Sequence, residues 1–472
     1  ASLDPMIAHS HRLRWLAHAL PGEKIEARRA PQVARKARPF QQIDEAPDLL
    51  GAVVSVSGGK VSHAGRPRLC VRLMIALSLL KNSFDLSDEE LVQRFAENVY
   101  WQYFAGYDYF DPRPPCDATQ IGRFRTALGE AGLEELLSAT LHTAVDIGAV
   151  KKREFERIIV DTTVQEKAIA YPVDSRLLDI GRRKVVAAAK RCGIVLKQTF
   201  AAEGKTLQRQ AGGYAHAKQF KRLRRVVKRQ RTILGILIRE VRRKLPGNTD
   251  NAPALASLNT WLERAERIRI QQRHDKNKLY ALHAPEVECI AKGKARKPYE
   301  FGVKVSVAVT HKQGLVVGAR SFPGNPYDGH ILAAQMEQSA ILLQDLGVKP
   351  KQAVVDLGFR GNEVAQGNPD LEIIHRGKIK TLTKVQRRWL KRRSAVEPAI
   401  GHLKSDNRMQ RCWLAGATGD ALHALCCAVG YNLRWLMRAV VRLGLRGLLL
   451  CLCWLAYGAR LAVKNPTPVP VF

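Results

Sequence analysis

The run from Arg182 to Lys244 sets the strongest limit on what this chain can fold into. It carries Glu203 and Glu240 as its only acids, against a dense series of Lys and Arg concentrated in "KQFKRLRRVVKRQRTILGILIREVRRKL". Its apolar residues recur at helical spacing, which predicts one or more long helices with a cationic face; "ALASLNTWLERAERIRIQQRHDKNKLYAL" continues the pattern. A strand-like run, "FERIIVDTTVQ", precedes this block, and "YEFGVKVSVAVT" follows it. Any sheet that uses both strands must therefore tolerate a long helical insertion between them.

Beyond that insertion the pattern is regular. "LVVGARSFPG" reads as the hairpin partner of "YEFGVKVSVAVT", and "GHILAAQMEQSAILLQDLG" as a helix ending at Gly347. "QAVVDLGF" and "LEIIHRGK" read as two more strands, and a long helix runs through "RRSAVEPAIGHLK". The order strand, insertion, strand, strand, helix, strand, strand, helix predicts a mixed α/β sheet with helices packed on it. Upstream, from Gly65, the sequence is helical. "LSDEELVQRFAEN" opens with Ser87 and Glu90 in capping-box spacing, "DATQIGRFRTALGE" opens with Asp117 and Gln120 in a similar arrangement, and "LEELLSATLHTAVDIGA" is a further amphipathic run. "NVYWQYFAGYDYFDPRPP" reads as an aromatic connector broken by proline. These pieces predict a helical domain of helix-turn-helix size, suited to reading a DNA end.

Charge narrows the partner. The 77 Lys and Arg exceed the 43 Asp and Glu by 34, and the pI is near 10.1. Such a surplus creates a positive field whose natural partner is a polyanion, nucleic acid above all. The cations Lys221, Arg222, Arg224, Arg225, Lys228 and Arg229 are the densest group. They read as a clamp on a phosphate backbone, with a solvated helix face as the plainer alternative. Nine scattered cysteines contain no C-x-x-C pair, which points to reduced thiols in the cytoplasm rather than a zinc site or disulfide framework. The apolar segment Gly447 to Ala459 is short for a bilayer and flanked by arginines, so a packed C-terminal helix is expected rather than a membrane contact.

Three acids carry the chemistry. Asp161 follows "RIIV" and Asp356 follows "AVV", so each is expected at the C-terminal end of an apolar strand, where open α/β sheets build their sites. A carboxylate there needs its charge satisfied, and a metal ion would do so. Glu397 sits in "RRSAVEPAIGHLK", where helical spacing puts Arg393, Glu397 and Lys404 on one face, flanked by the apolar Val396, Ile400 and Leu403. Brought to the two aspartates, Glu397 completes a three-acid site for a hard divalent cation, Mg²⁺ or Mn²⁺, bracketed by Arg393 and Lys404 as phosphate contacts. Two of the acids have a plainer reading. Glu397 could cap a helix with Ser394, and Asp356 could mark an ordinary exit from a strand into a turn.

The stretches "VDTTVQEKAIAYPVDSRLL", "GNPYDGH", "VVDLGFRG" and "RRSAVEPAIGHLK", in this order, resemble the DDE transposases of bacterial insertion sequences, in the insertion-sequence five family of the larger insertion-sequence four superfamily. "GRPRLCVRLMIALSLLKNSFDLSDEELVQRF" resembles that family's N-terminal domain, so the likeness covers about Gly65 to Leu414. The resemblance implies an RNase H-like catalytic core with Asp161, Asp356 and Glu397 as metal ligands for two ions. It also implies that Arg393 and Lys404 fill the arginine and lysine places of the superfamily's tyrosine-arginine-glutamate-lysine signature, which contacts the DNA end. The tyrosine place holds Leu390, with Trp389 beside it.

The chain is thus expected to be a transposase that binds terminal inverted repeats, cuts them and joins them to target DNA, acting as a homodimer on double-stranded DNA at the nucleoid. A stand-alone RNase H-like nuclease, and a transposase-derived DNA-binding protein without turnover, are the alternatives. The expected divisions are a basic arm (1–64), a helical DNA-binding domain (65–150), the core (151–181 and 298–440) interrupted by the basic insertion (182–297), and an apolar C-terminal helix with its tail (441–472).

Overall fold

The structure, a computed structural model, describes residues 69–245, 252–272, 274–291, 297–359, 371–378 and 380–444. The N-terminal arm and the apolar segment Gly447 to Ala459 lie outside the described residues.

The described chain opens with four helices, α1 (Val71–Ser83), α2 (Asp88–Glu97), α3 (Val99–Ala105) and α4 (Ala118–Asp146). Helix α2 starts with the expected capping box: Ser87 Oγ accepts from the Glu90 amide, and the Glu90 carboxylate accepts from the Ser87 amide. One expectation is corrected. The aromatic connector contains α3, because Asn98 caps its first turn and Gly106, at φ 97°, ends it in the left-handed region. Gly129, at φ 67° and ψ −172°, is not helical and divides α4 into two helical segments, the one starting at Asp117 and the run "LEELL", as expected; Asp117 accepts from the Thr119 amide.

Among the described residues six strands then form one mixed sheet: β1 (Arg157–Glu166), β2 (Glu288–Ala291), β3 (Tyr299–Thr310), β4 (Val316–Phe322), β5 (Gln352–Val354) and β6 (Glu372–Ile374). β1 is central. It pairs antiparallel with β3 from Ile158 to Glu166, and parallel with β5 from Arg157 to Ile159. β5 continues parallel to β6, while β2 and β4 extend the sheet beyond β3. β3 is covered on both faces over its second half: every residue from Val305 to Thr310 is buried, so the valine alternation marks the strand without marking a single apolar face.

Between β1 and β2 the chain makes helices α5 (Asp174–Arg191), α6 (Ala201–His216), α7 (Phe220–Lys244) and α8 (Ala252–Ile270). They enclose a core of their own around Leu177, Val185, Leu234, Leu237, Leu258 and Leu262. The end of β1 is tied to the exit of this insertion by a buried cation: Lys167 Nζ lies 2.8 Å from both Glu286 Oε1 and Asp420 Oδ1.

The remaining helices are α9 (Asp328–Leu343), α10 (Lys384–Lys391), α11 (Val396–Asp406) and α12 (Gly416–Arg442). α12 is buried almost throughout and packs on α1, α4 and β4, so the N-terminal helices and the sheet share one apolar core. Asn432 locks this junction. It exchanges hydrogen bonds with both backbone groups of Val316 and donates to Thr140 Oγ1.

Candidate active site

The β1–β5 register places the first two acids. Ile159 is opposite Val354, the last pair of this parallel ladder, so Asp161 and Asp356 each lie two residues beyond it, at the same end of the two strands. Asp356 lies just past β5, as expected. Asp161 does not end its strand: β1 runs on through Glu166 because β3 continues to pair with it, and only the β5 side of the ladder stops. Both aspartates are partly exposed.

Glu397 arrives from a broken helix rather than one long one. α10 ends at Lys391, a 3₁₀ turn spans Arg392–Ala395, and α11 starts at Val396, with Pro398 in its first turn where its missing amide costs nothing. The helix begins at Ala395 with no side-chain cap, so Glu397 is not the partner of Ser394 in a capping box. Val396, Ala399 and Leu403 are buried and seat α11 on β1 and β3, with Ile400 at the margin. The upper side of that seat carries the site. The Arg393 guanidinium lies 3.3 Å from Asp161 Oδ2 and 3.7 Å from Glu397 Oε1, bridging the two acids, while Glu397 is 63% exposed on its outer side. Lys404 stands further along α11, with Nζ 4.0 Å from Glu300 Oε2 of β3.

Residues around this group hold it in place. The Thr162 amide donates to Asp161 Oδ1 at 2.8 Å. Arg392 donates to the carbonyls of His311 and Lys312, fixing the 3₁₀ turn to the end of β3. Burial holds the His311 imidazole below its usual pKa, and the neutral ring donates through Nε2 to the Trp389 carbonyl at 3.1 Å. Trp389 lies under the Arg157 guanidinium, 3.3 Å from its ring centre, and Leu390 is buried. The residues at the tyrosine place therefore serve packing.

Among the described residues, no group of three His, Cys, Asp or Glu side chains is closed into a metal cage. The donor set nevertheless suits a hard cation, since it is made of carboxylate oxygens without thiolate or imidazole. Arg393 stands between Asp161 and Glu397.

The six insertion cations lie elsewhere, on the exposed face of α7, which packs on α5, α6 and α8. Their surroundings differ. Arg229 pairs with Glu203 at 2.7 Å, and Arg222 donates to Gln219 Oε1 beside the Tyr214 ring.

Two family profiles match the chain: "Transposase domain (DUF772)" over residues 28–127 and "Transposase DDE domain" over residues 267–433. A protein of Rhizobium meliloti named "Uncharacterized protein ORF8 in nfe locus" is 45% identical over 163 residues, covering 34% of this chain and 79% of that protein. The chain belongs to the DDE transposases of insertion sequences. The sheet of this transposase is accordingly an RNase H-like core, and the four leading helices match the all-α N-terminal region. No solved structure matches the chain. DDE transposases normally use divalent metal ions and act on DNA, which the cationic surplus of this one suits. No helix among the described residues is long and apolar enough to cross a membrane.

Sequence reasoning missed Thr162, which gives its amide to Asp161, and the Asp328–Lys304 pair joined to it through the Thr162 hydroxyl. The signal was present in "GNPYDGH", an acid at the start of a helix immediately after a turn, but nothing in that stretch says which strand it faces.

Proposed function

We propose that this transposase binds the terminal inverted repeats of its insertion sequence, cleaves the DNA there and transfers the strand to a target duplex, as a homodimer that holds two ends together. The observation that supports this reading is Arg393 linking Asp161 to Glu397, together with the parallel β1–β5 register, which ends two residues before both Asp161 and Asp356. Asp161, Asp356 and Glu397 would hold two Mg²⁺ or Mn²⁺ ions, whose bound form lowers the pKa of water or a 3′-hydroxyl and neutralises charge at phosphorus.

The chain's own groups do the remaining work. The Thr162 amide fixes one oxygen of Asp161, leaving the other for a cation. Arg393 leaves the acids to pair with a DNA phosphate when an end enters, and Lys404 takes a second phosphate along α11. The exposed cations of α7, with Lys221, Arg224, Arg225 and Lys228 foremost, hold the flanking duplex by its backbone, so affinity falls with salt. Protein nucleophiles have no part in the displacement.

The test is cleavage of a terminal inverted-repeat duplex by purified protein, with and without Mg²⁺. Asp161→Asn, Asp356→Asn and Glu397→Gln are each expected to abolish cutting and joining while end binding is kept. Metal-independent cutting, or full activity in any one of the variants, removes the mechanism.

A further inference from the structure

Past Ile159 and Val354 the ladder between β1 and β5 has ended, so no backbone hydrogen bond between those strands sets the spacing of Asp161 and Asp356. A side chain from a third segment spans the gap. Asp328 opens α9 directly after the turn that leaves β4. Its Oδ2 accepts from Thr162 Oγ1 at 3.3 Å, and Thr162 in turn gives its backbone amide to Asp161. The same Oδ2 lies against the turn that follows Asp356: a Cβ built on Gly358 would stand 3.1 Å from it, and that turn is closed by the Phe359 amide donating to the Asp356 carbonyl. The other oxygen, Oδ1, receives Lys304 Nζ of β3 at 2.8 Å, and Lys304 also donates to the Pro326 carbonyl, which fixes the turn carrying Asp328. One carboxylate thus touches the neighbour of Asp161, the turn of Asp356 and the strand beyond.

We propose that Asp328 is a positioning residue that sets the spacing and orientation of Asp161 and Asp356, and through them the affinity of the site for a divalent cation. This rests on the reading of Asp161 and Asp356 as metal-binding. A carboxylate suits the task because it can accept from Thr162 and neutralise the nearly buried Lys304 at once; an amide meets only the first demand. Gly358 suits it because any larger residue would press on the carboxylate. A plainer role, an acid at a helix start interacting with the helix dipole, requires neither Thr162 nor Gly358.

The experiment is Mn²⁺ titration of the full chain followed by electron paramagnetic resonance, with thermal melting alongside, for wild type, Asp161→Asn, Asp328→Asn and Thr162→Val. Thr162→Val keeps the Asp328 charge, its ion pair and the amide bond to Asp161, and removes only the hydroxyl that donates to Asp328. Asp328→Asn and Thr162→Val are each expected to weaken Mn²⁺ binding about tenfold or more, the usual effect of losing a partner of a metal ligand, with Thr162→Val melting close to wild type. Wild-type affinity in both, with Asp161→Asn impaired, overturns the role of Asp328 and leaves the metal site standing. A loss in Asp328→Asn with none in Thr162→Val also overturns it, since the effect is then that of a nearby charge. Should Asp328→Asn fail to fold, Thr162→Val decides alone. Wild-type affinity in Asp161→Asn removes the metal reading itself, and this proposal with it.

Discussion

Neutralising one stripe of α7 gives a prediction whose size follows from helix geometry. At 100° per residue, Lys221, Arg224, Arg225 and Lys228 fall within an arc of about 100° and span about 10 Å along the axis. All four are exposed, whereas Arg229 is already engaged by Glu203 and Arg222 by Gln219. A stripe of that length along one DNA strand, with a phosphate every 3.4 Å or so, meets about three phosphates, so replacing all four cations with Gln should lower the slope of log affinity against log salt by about 2.7. Between 50 and 200 mM salt this amounts to a change of roughly 40-fold in how far binding falls. The assay is fluorescence anisotropy of a labelled end duplex across a salt series. Arg229→Gln serves as the internal comparison and should shift the slope by less than one unit. An unchanged slope in the quadruple variant would refute the reasoning and assign the stripe to solvent.

Two further outcomes are expected. Arg393→Gln removes the guanidinium that bridges Asp161 and Glu397, so Mn²⁺ should bind the DNA-free protein several-fold more tightly while end binding weakens; tighter end binding, or no gain in Mn²⁺ affinity, contradicts the bridging role. His423 is buried, its pKa pushed down to about 4 by that burial, and its Nε2 donates to the Arg408 carbonyl at 3.0 Å. The unfolded chain therefore binds a proton that the folded one refuses between pH 6.5 and 4. Stability should fall as pH drops through that window and be flat in this group above it, by roughly 2 kcal/mol at pH 5. Denaturant melts of His423→Gln at pH 7 and 5 should show the smaller loss; equal losses in both proteins would contradict it.

The legible and illegible parts of the fold separate along physical lines. β1, β3 and β4 were readable because short runs rich in apolar β-branched residues are a local property that burial within a sheet selects. The extent of β1 was not, since "TTVQE" stays extended only because β3 lies beside it. α3 was hidden by the aromatics and prolines around it, and its limits are set by single residues, Asn98 and Gly106. The apolar face of α11 was readable from Val396 and Leu403, but the break at Arg392–Ala395 was not, because it depends on Arg392 reaching the carbonyls of His311 and Lys312 far away in sequence. The three acids could be named from their own surroundings. Asp328 could not, since its meaning comes from Thr162 and Gly358, which only the folded sheet brings to it.

The claim on which the rest depends is that Asp161, Asp356 and Glu397 meet around divalent cations. Iron-directed cleavage reads that meeting directly. Fe²⁺ with ascorbate and peroxide is added to the transposase bound to its end DNA, and the radicals formed at the bound ion cut the nearby backbone, with the fragments mapped by mass spectrometry. The account predicts cuts beside all three acids, suppressed by excess Mg²⁺ and lost in Asp161→Asn. Cuts near Asp161 and Asp356 with none near Glu397, or cuts scattered without regard to the three, would contradict it.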